Sequence, residues 1–361
     1  MTRHKKVTTR DIAKECFVSQ SAVSMILSGR TDIHFSEETI TLVKETAKKL
    51  GYEYKPRMRR IALTQSDTIL ILCPSLASEY YTTLIQSITE RAEEAELYTL
   101  VAHTNRIVKR EEYYLQLAED TNFYGIIYTY PPQAIHFLNK KRHQIPLVMI
   151  SDYNPQLKVE LLELDSKKAG CLVAKHLIEL GHRNIAYIST PLAPFELPRL
   201  RRLSGMQEEF KRQGLNPDFI QVFSADISSL NSYVTGNKYY NTGYHLTMEY
   251  LKKPTDITAF VGTTDMIAIG IIDALTNSGF KIPKDFSVCG FDNSVASSFA
   301  NISLTTVDHS IEDKGISAVE MLTKQHETKS KDKKNSAKKK PLLRLEYEPQ
   351  LIIRGSSGKR K

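Results

Sequence analysis

Short apolar, β-branched runs recur along this chain with amphipathic helical stretches between them, and that alternation constrains its fold more than any other feature. The runs fall at 68–74, 97–103, 124–130 and 146–151, and again at 184–189, 220–223, 257–263 and 286–291. A strand that is apolar throughout must be covered on both faces, so strands of this kind separated by helices imply parallel sheets sandwiched by helices. The stretch 167–180 shows the helical half of the pattern: Leu172, Val173, Leu177 and Leu180 form one stripe, and Gly181 stops it. Because the series runs twice, the spacing predicts two similar α/β lobes with a cleft between them. Ligands in such sheets bind beyond the carboxyl ends of the strands.

The first fifty residues follow a different rule. Thr8-Thr-Arg-Asp11 has the form of a capping box, with Ile12 and Ala13 turned inward after it. A break at Cys16-Phe17-Val18 leads to Ser19, a good N-cap for a second helix on which Val23, Ile26 and Leu27 share one face. Gln20, Ser21, Ser24, Met25 and Ser28 face the other way, and Gly29 suits the helix end. Ser36-Glu-Glu caps a third helix carrying Ile40, Val43, Ala47 and Leu50 at helical spacing, stopped by Gly51. Two short helices across a tight turn, stabilised by a third, describe a helix-turn-helix head.

Charge follows the same division. Residues 1–60 carry a net +6, residues 61–323 a net −7 and residues 324–361 a net +9. An acidic body with a basic head and tail suggests a polyanionic partner, nucleic acid first, although a basic tail can also be merely solvated. The connector after the head crowds Lys55, Arg57, Arg59 and Arg60 around Pro56, with Met58, Ile61 and Leu63 as apolar members. Its basic residues suit insertion into a minor groove and phosphate neutralisation; the plainer alternative is a protease-sensitive linker. Residues 324–341 form a lysine-rich, low-complexity stretch expected to be a mobile loop, followed by the strand-like Gln350-Leu-Ile-Ile-Arg354.

Several function classes drop out. No apolar run approaches the ~20 residues of a membrane span. The N-terminus has no apolar signal region, so secretion is not expected. Four cysteines (Cys16, Cys73, Cys171, Cys289) lie far apart, which argues against a disulfide framework or a cysteine zinc site and for a reducing cytoplasm. The ten histidines are scattered, and neither a GxSxG elbow nor a P-loop is present, so no catalytic set, metal or cofactor is expected.

Taken in order, the segments Val7-Thr-Thr-Arg-Asp-Ile-Ala-Lys, Val18-Ser-Gln-Ser-Ala-Val-Ser-Met-Ile-Leu-Ser-Gly29 and Leu50-Gly-Tyr52 resemble the opening of the lac/gal repressor family of bacterial transcription regulators. The likeness continues through His176-Leu-Ile-Glu-Leu-Gly-His-Arg-Asn-Ile-Ala-Tyr-Ile188, Thr264-Asp-Met-Ile-Ala-Ile-Gly270, Ile282-Pro-Lys-Asp-Phe-Ser-Val-Cys-Gly-Phe-Asp292, Leu304-Thr-Thr-Val307 and Leu351-Ile-Ile-Arg-Gly-Ser356. It covers nearly the whole chain. The resemblance implies a head at 1–53 (helix-turn-helix about 9–28), a hinge at 54–66, and a periplasmic-binding-protein-like core at 67–323. In that core the first lobe would take 67–164 and 292–323, and the second 165–291 and 342–356. It further implies a homodimer, or a tetramer of dimers, bound to double-stranded operator DNA. A small carbohydrate-like effector (a sugar, sugar phosphate or nucleoside-like molecule) would modulate that binding, with repression the expected outcome. Two alternatives stay open: a solute-binding protein without operator function, and a regulator controlled by a docking carrier protein.

Within that resemblance, Gln20, Ser21 and Met25 are the expected base readers, with Thr8, Arg10, Ser19, Ser24 and Ser28 beside them on the DNA. Arg57, Arg59, Arg60 and Ile61 would serve the hinge, Ile61 standing where the family has a leucine that wedges into the minor groove. Departures are also visible. Phe17 stands where a glycine is usual, so the turn is expected to be reshaped. Met25 replaces an arginine, exchanging guanine readout for apolar contact. About two extra residues lie between Gly29 and Ser36, and the family's Pro-Asn reads Tyr54-Lys55. For the effector, the resemblance points to Asp292, whose carboxylate would accept ligand hydroxyls, to Thr264 and Asp265, and to Tyr80 and Tyr81 for ring stacking. Ser151 and Asp152 fall beside a family aspartate. The gripping arginine aligns with Leu200, leaving Arg199 or Arg201 to replace it; the run Arg199–Arg202 would suit an anionic effector, or be a solvated helix start.

Overall fold

The computed structural model describes residues 7–27, 35–52, 67–141, 145–192, 197–226, 238–331 and 342–360, which fall into two compact units, one within 1–64 and one within 65–361. Ser28, Arg57, Arg59, Arg60, Ile61, the 54–66 hinge and residues 332–341 of the lysine-rich stretch lie outside the described residues.

The head consists of α1 (Thr9–Glu15), α2 (Gln20–Leu27) and α3 (Glu37–Lys49). Asp11 reaches back to accept the Thr8 N–H at 2.9 Å and the Thr8 hydroxyl at 2.7 Å, fixing where α1 begins. Ser19 Oγ accepts from the Ala22 N–H at 3.1 Å and opens α2; Ser36 Oγ accepts from Thr39 at 3.3 Å and opens α3. Ile12, Ala13, Cys16, Val23, Ile26, Val43 and Ala47 form the head's core.

The α1–α2 turn holds Phe17 at the position where a glycine was expected. Phe17 itself adopts the left-handed conformation, φ 53°, with its side chain 96% exposed. An L-residue in that region costs about 1–2 kcal/mol, whereas glycine is permissive there but loses more chain entropy on folding. Phe17→Gly is therefore expected to stabilise the head by about 0.5–1 kcal/mol. Slower hydrogen exchange at Ile12, Val23 and Val43 in the full chain would register it; faster exchange would show that the ring holds the turn.

In the larger unit the first sheet runs β1 (Thr68–Cys73), β2 (Tyr98–His103), β3 (Gly125–Tyr128), β4 (Leu147–Ile150), β5 (Glu160–Leu164) and β11 (Arg344–Tyr347), in the spatial order β11-β5-β4-β3-β1-β2, every pair parallel. Alternate residues of β1 serve opposite faces, as the pleat requires. Ile69 and Ile71 pack beneath α4 (Glu79–Glu94) and α11 (Ile311–Lys331), while Leu70 and Leu72 pack beneath α5 (Val108–Asp120) and α6 (Ile135–Lys141).

The second sheet is also parallel, in the order β7 (Ile220–Ser224), β6 (Ile185–Ser189), β8 (Ala259–Gly262), β9 (Ser287–Cys289). Tyr187 and Val261 face α7 (Ser166–Glu179) and α8 (Leu197–Arg212), and Ile188 and Phe260 face α9 (Lys238–Lys252) and α10 (Asp265–Asn277). A two-stranded antiparallel ribbon, β10 (Thr306–Asp308) with β12 (Gln350–Ile352), lies against this lobe, Val307 and Leu351 packing on its α7–α8 side.

Strand pairing redraws two expected boundaries. Residues 292–308 belong to the second lobe, since Thr305 bridges to Cys289 and β10 packs there. The stretch 342–356 divides: Arg344–Tyr347 adds to β5 of the first sheet before the chain crosses to β12. The lysine-rich stretch is also not loop from its start, because α11 continues to Lys331. Gln325 holds it by exchanging two 3.0 Å hydrogen bonds with the Leu147 backbone, and His326 stacks on Tyr124 at 4.1 Å.

Candidate functional site

The carboxyl ends of both sheets open onto one cleft, open to solvent, which is where a doubly wound sheet places its ligand. From the first lobe come Tyr80 and Tyr81 at the start of α4, Arg106 after β2, Thr129 and Tyr130 after β3, and Ser151 after β4. From the second come Arg199 and Arg202 on α8, Tyr239 on α9, Thr264 at the start of α10, and Asp292 beyond β9.

Asp292 sits on a strained loop. Its φ is 128° and that of Asn293 is 50°, conformations that persist only where surrounding bonds over-determine them. Those bonds are present: the Asp292 N–H donates to the Val307 carbonyl at 3.1 Å, and the Ser294 N–H to Asp265 Oδ2 at 2.8 Å. Arg354 grips the loop from the C-terminal segment, donating to Asn293 Oδ1 at 2.7 Å and to the Leu304 carbonyl at 2.9 Å. Burial pushes the Asp292 carboxyl well above the ordinary carboxylate range, and the nearby Asp265 charge adds to the rise; the Arg202 guanidinium, 4.0 Å away, opposes it.

Arg202 anchors the second-lobe wall. It is 5% exposed, stacks over Phe291 at 4.6 Å and donates to the Thr263 carbonyl at 2.6 Å. Its Nη2 donates across 3.2 Å to His309 Nε2, which fixes His309 as a neutral ring with that nitrogen as acceptor. Burial, with Arg202 and Lys314 close by, holds His309 well below its usual range. Lys314 Nζ donates to the His309 carbonyl at 2.5 Å, and burial lowers its pKa to about 7. Arg202 Nε is buried and has no hydrogen-bond partner.

Of the residues expected at the effector site, the cleft brings together Tyr80, Tyr81, Ser151, Arg199, Thr264 and Asp292. It leaves out three. Asp265 is the first residue of α10 and faces inward, accepting from Ser294 and from the Thr306 hydroxyl at 2.5 Å; it supports the Asp292 loop. Asp152 is buried behind Ser151, accepts from the Ser166 N–H at 3.1 Å, and is pushed by burial to about 6. Arg201 lies 3.9 Å from Asp152 and from Glu163 and donates to the Tyr153 carbonyl at 2.7 Å, so it ties the lobes together where the chain crosses between them. Thr264 also caps α10, its hydroxyl accepting from Ile267 at 3.2 Å.

The sequence names Arg202 only within the run Arg199–Arg202, behind Arg199 and Arg201, and passes over Arg106, Tyr130 and Tyr239. For Arg202 a signal existed: positions 199 and 202 lie three apart and share a helix face, whereas 201 points away. Arg106 has no such signal, being placed by a loop. In the head, Thr8, Arg10, Ser19, Gln20, Ser21 and Ser24 are exposed and Met25 is half-buried, while Gln20 Nε2 donates to Thr9 Oγ1 at 3.1 Å and ties α2 to α1. Among the described residues no cluster of three or more His, Cys, Asp or Glu could hold a metal ion, and no helix is long and apolar enough to cross a membrane.

Known proteins share this plan. The periplasmic binding protein-like domain family matches residues 174–357. The chain is 27% identical to the HTH-type transcriptional regulator DegA of Bacillus subtilis over 361 residues, covering 98% of each. It is 27% identical over 319 residues to the ribose operon repressor of Escherichia coli, covering 87% of this chain and 92% of that one. A crystal structure of an uncharacterised protein from Actinobacillus succinogenes superimposes with a TM-score of 0.69 at 26% identity, covering 80% of this chain and 98% of that chain. With a helix-turn-helix head followed by two lobes of parallel sheet around a shared cleft, the chain belongs to the lac/gal repressor family of transcriptional regulators.

Proposed function

We propose that this chain is a sequence-specific DNA-binding transcriptional repressor whose affinity for its operator responds to a small carbohydrate-like ligand in the cleft. The observation that carries the reading is the division of labour on α2. Ala22, Val23 and Ile26 are buried in the head's core, which leaves Gln20, Ser21 and Ser24 exposed with Met25 beside them. A helix so presented is the element that a helix-turn-helix lays in the major groove. Gln20 and Ser21 read base edges, Met25 offers apolar contact to a thymine methyl, and Thr8, Arg10, Ser19 and Ser24 engage phosphates. Arg57, Arg59 and Arg60 neutralise phosphate at the hinge, and Ile61 wedges into the minor groove. Two copies on a near-palindromic site place two such helices in successive major grooves.

The cleft supplies the control. Tyr80, Tyr81 and Ser151 of the first lobe face Arg199, Thr264 and Asp292 of the second. A ligand touching both sets changes the angle between lobes, and its affinity is coupled reciprocally to that for DNA. The E. coli relative is named a ribose operon repressor, which agrees with a sugar-like ligand and with repression.

Selection of bound sequences from random duplex DNA by the purified chain, followed by affinity across a salt series, tests the proposal. Enrichment of a palindrome, with a log–log salt slope steeper than about −4, is the expected result. Recovery of unrelated sequences, both alone and with pooled sugars and phosphosugars, would overturn operator reading.

A further inference from the structure

We propose that the joint between the two lobes is proton-linked: Lys314 gives up a proton when the lobes pack as they do here and recovers it when the joint opens, so a rise in pH favours the packed joint. The chain passes between the lobes three times, at Asp165 between β5 and α7, at His309-Ser310 between β10 and α11, and at Glu348-Pro349 between β11 and β12. Ionisable side chains are buried around these crossings: Asp152, Glu163, Arg202, His309 and Lys314 are each 5% exposed or less. Lys314 stands beside two of the crossings, its Nζ donating to the His309 carbonyl at 2.5 Å and lying 5.4 Å from the centre of the Tyr347 ring. Among the described residues that carbonyl is its one hydrogen-bond acceptor, and no carboxylate forms an ion pair with it. A neutral amine keeps this bond, whereas an ammonium has three donors to satisfy in a site that offers one acceptor. Lys314 also stands in the first turn of α11, the positive end of that helix, where a cation is disfavoured.

Charged groups face Lys314 from each element around it. Asp152 beyond β4, Asp308 at the crossing and Asp313 on α11 favour the ammonium; burial, which is the largest influence, and Arg202 on α8 oppose it, and the lysine is brought down to about 7. From α4 the Tyr80 hydroxyl, itself kept neutral by burial, interacts with Asp152, Arg202 and Asp292. His309 ties the lobes together at this point. Its carbonyl takes the Lys314 donor from the first lobe, and its ring takes Arg202 Nη2 at 3.2 Å from the second. Arg202 lines the cleft, so the charge on Lys314 acts on a residue of the ligand site. Opening the joint to water restores an ordinary lysine, which titrates at about 10. A base lowered in one state and ordinary in the other takes up a proton on opening, so above about pH 7 each unit of pH shifts the balance towards the packed joint by up to about tenfold. His309 stays neutral over this interval. Asp292 is raised towards the same interval, and comparison with a variant that changes Lys314 alone removes its contribution.

The test is hydrogen exchange of the full chain at pH 7 and pH 8.5, read by mass spectrometry as protection relative to the intrinsic rate at each pH, in peptides covering 306–314 and 345–352. Wild-type protection there is expected to rise about tenfold over that interval while β1 and β6 keep theirs. Lys314→Met keeps an apolar stem against Tyr347 and cannot be charged; its protection should change by less than about threefold and lie no lower than that of the wild type at pH 8.5. Lys314→Arg, charged throughout, should stay at or below the wild-type level of pH 7. Melting temperatures show that each variant folds, and Lys314→Gln, which keeps a donor for the His309 carbonyl, takes the place of the methionine variant if that one does not. A rise of the wild-type size that persists without the lysine would overturn the proposal, as would wild-type protection that does not change with pH. A rise shared equally by β1 and β6 would also overturn it, because the opening would then be of the whole unit and not of the joint.

Discussion

Replacing Gly205 by alanine is expected to destabilise the larger unit by about 3 kcal/mol, the upper end of what overpacking costs. Helices α7 and α8 meet backbone to backbone at a reciprocal pair of glycines. A Cβ on Gly205 would lie 1.9 Å from the Lys167 carbonyl oxygen, and one on Gly170 would lie 2.0 Å from that of Arg202. Neither obstacle is a flexible side-chain end, so α8 must move as a body. Helix propensity alone argues the other way, since alanine in a helix interior is favoured over glycine by about 1 kcal/mol. The sign of the change therefore decides which term rules. A drop in the urea midpoint is expected for Gly205→Ala; a rise would mean that the helices are further apart than this packing requires. The same displacement would carry Arg199 and Arg202 with it, tying a packing contact to the geometry of the cleft.

Arg202→Met is expected to abolish the response to ligand while leaving the head able to bind DNA. The change keeps the apolar stem over Phe291 but strands the Thr263 carbonyl, the acceptor nitrogen of His309 and the Asp292 carboxylate, all buried. Breaking a buried charge pair by removing one partner costs about 3–5 kcal/mol. The pH dependence has a definite sign. Loss of Arg202 removes the charge that opposes burial at Asp292, so the carboxyl is driven still further above its unfolded value. A carboxyl with a raised folded pKa binds a proton more readily in the folded state, so its contribution to stability grows as pH falls. The deficit of Arg202→Met should therefore be largest at alkaline pH, where the wild-type Asp292 carboxyl is charged, and narrow as pH falls towards neutrality, where the carboxyl is protonated in both chains. Denaturation at pH 9.5 and pH 7, with gel-shift titrations in the presence and absence of ligand, would check both halves. A deficit that widened as pH fell would contradict the assignment of Asp292 as the stranded group.

Much of this architecture is written locally. All eight apolar runs became strands; six are buried throughout, as continuous Val, Ile and Leu require, while the edge strands β2 and β7 expose alternate residues. The head was legible for a related reason: Asp11, Ser19 and Ser36 satisfy helix N-termini within three residues of themselves, so their role needs no distant partner. The strands that escaped are those whose character comes from neighbours. Glu160-Leu-Leu-Glu-Leu164 alternates charge and leucine as a helix might, and is a strand because β4 on one side and β11 on the other accept its backbone. Arg344–Tyr347, largely exposed, reads as an extension of a polar tail until β5 pairs with it.

At the cleft the same boundary appears. Ser151 and Asp292, which the family resemblance singled out, lie just beyond strand ends, at the edge where a parallel sheet meets its ligand. Arg106 is delivered by two left-handed residues in a loop, and Asp265 is withdrawn by a hydrogen bond to Thr306, forty-one residues away in the chain. Periodicity states which face a side chain takes, and capping states where a helix begins; both are properties of a few consecutive residues. Lobe membership of 292–308 and 344–347, and which of three neighbouring arginines enters the cleft, depend on pairings between segments far apart in sequence, and those are decided only when the chain has closed on itself.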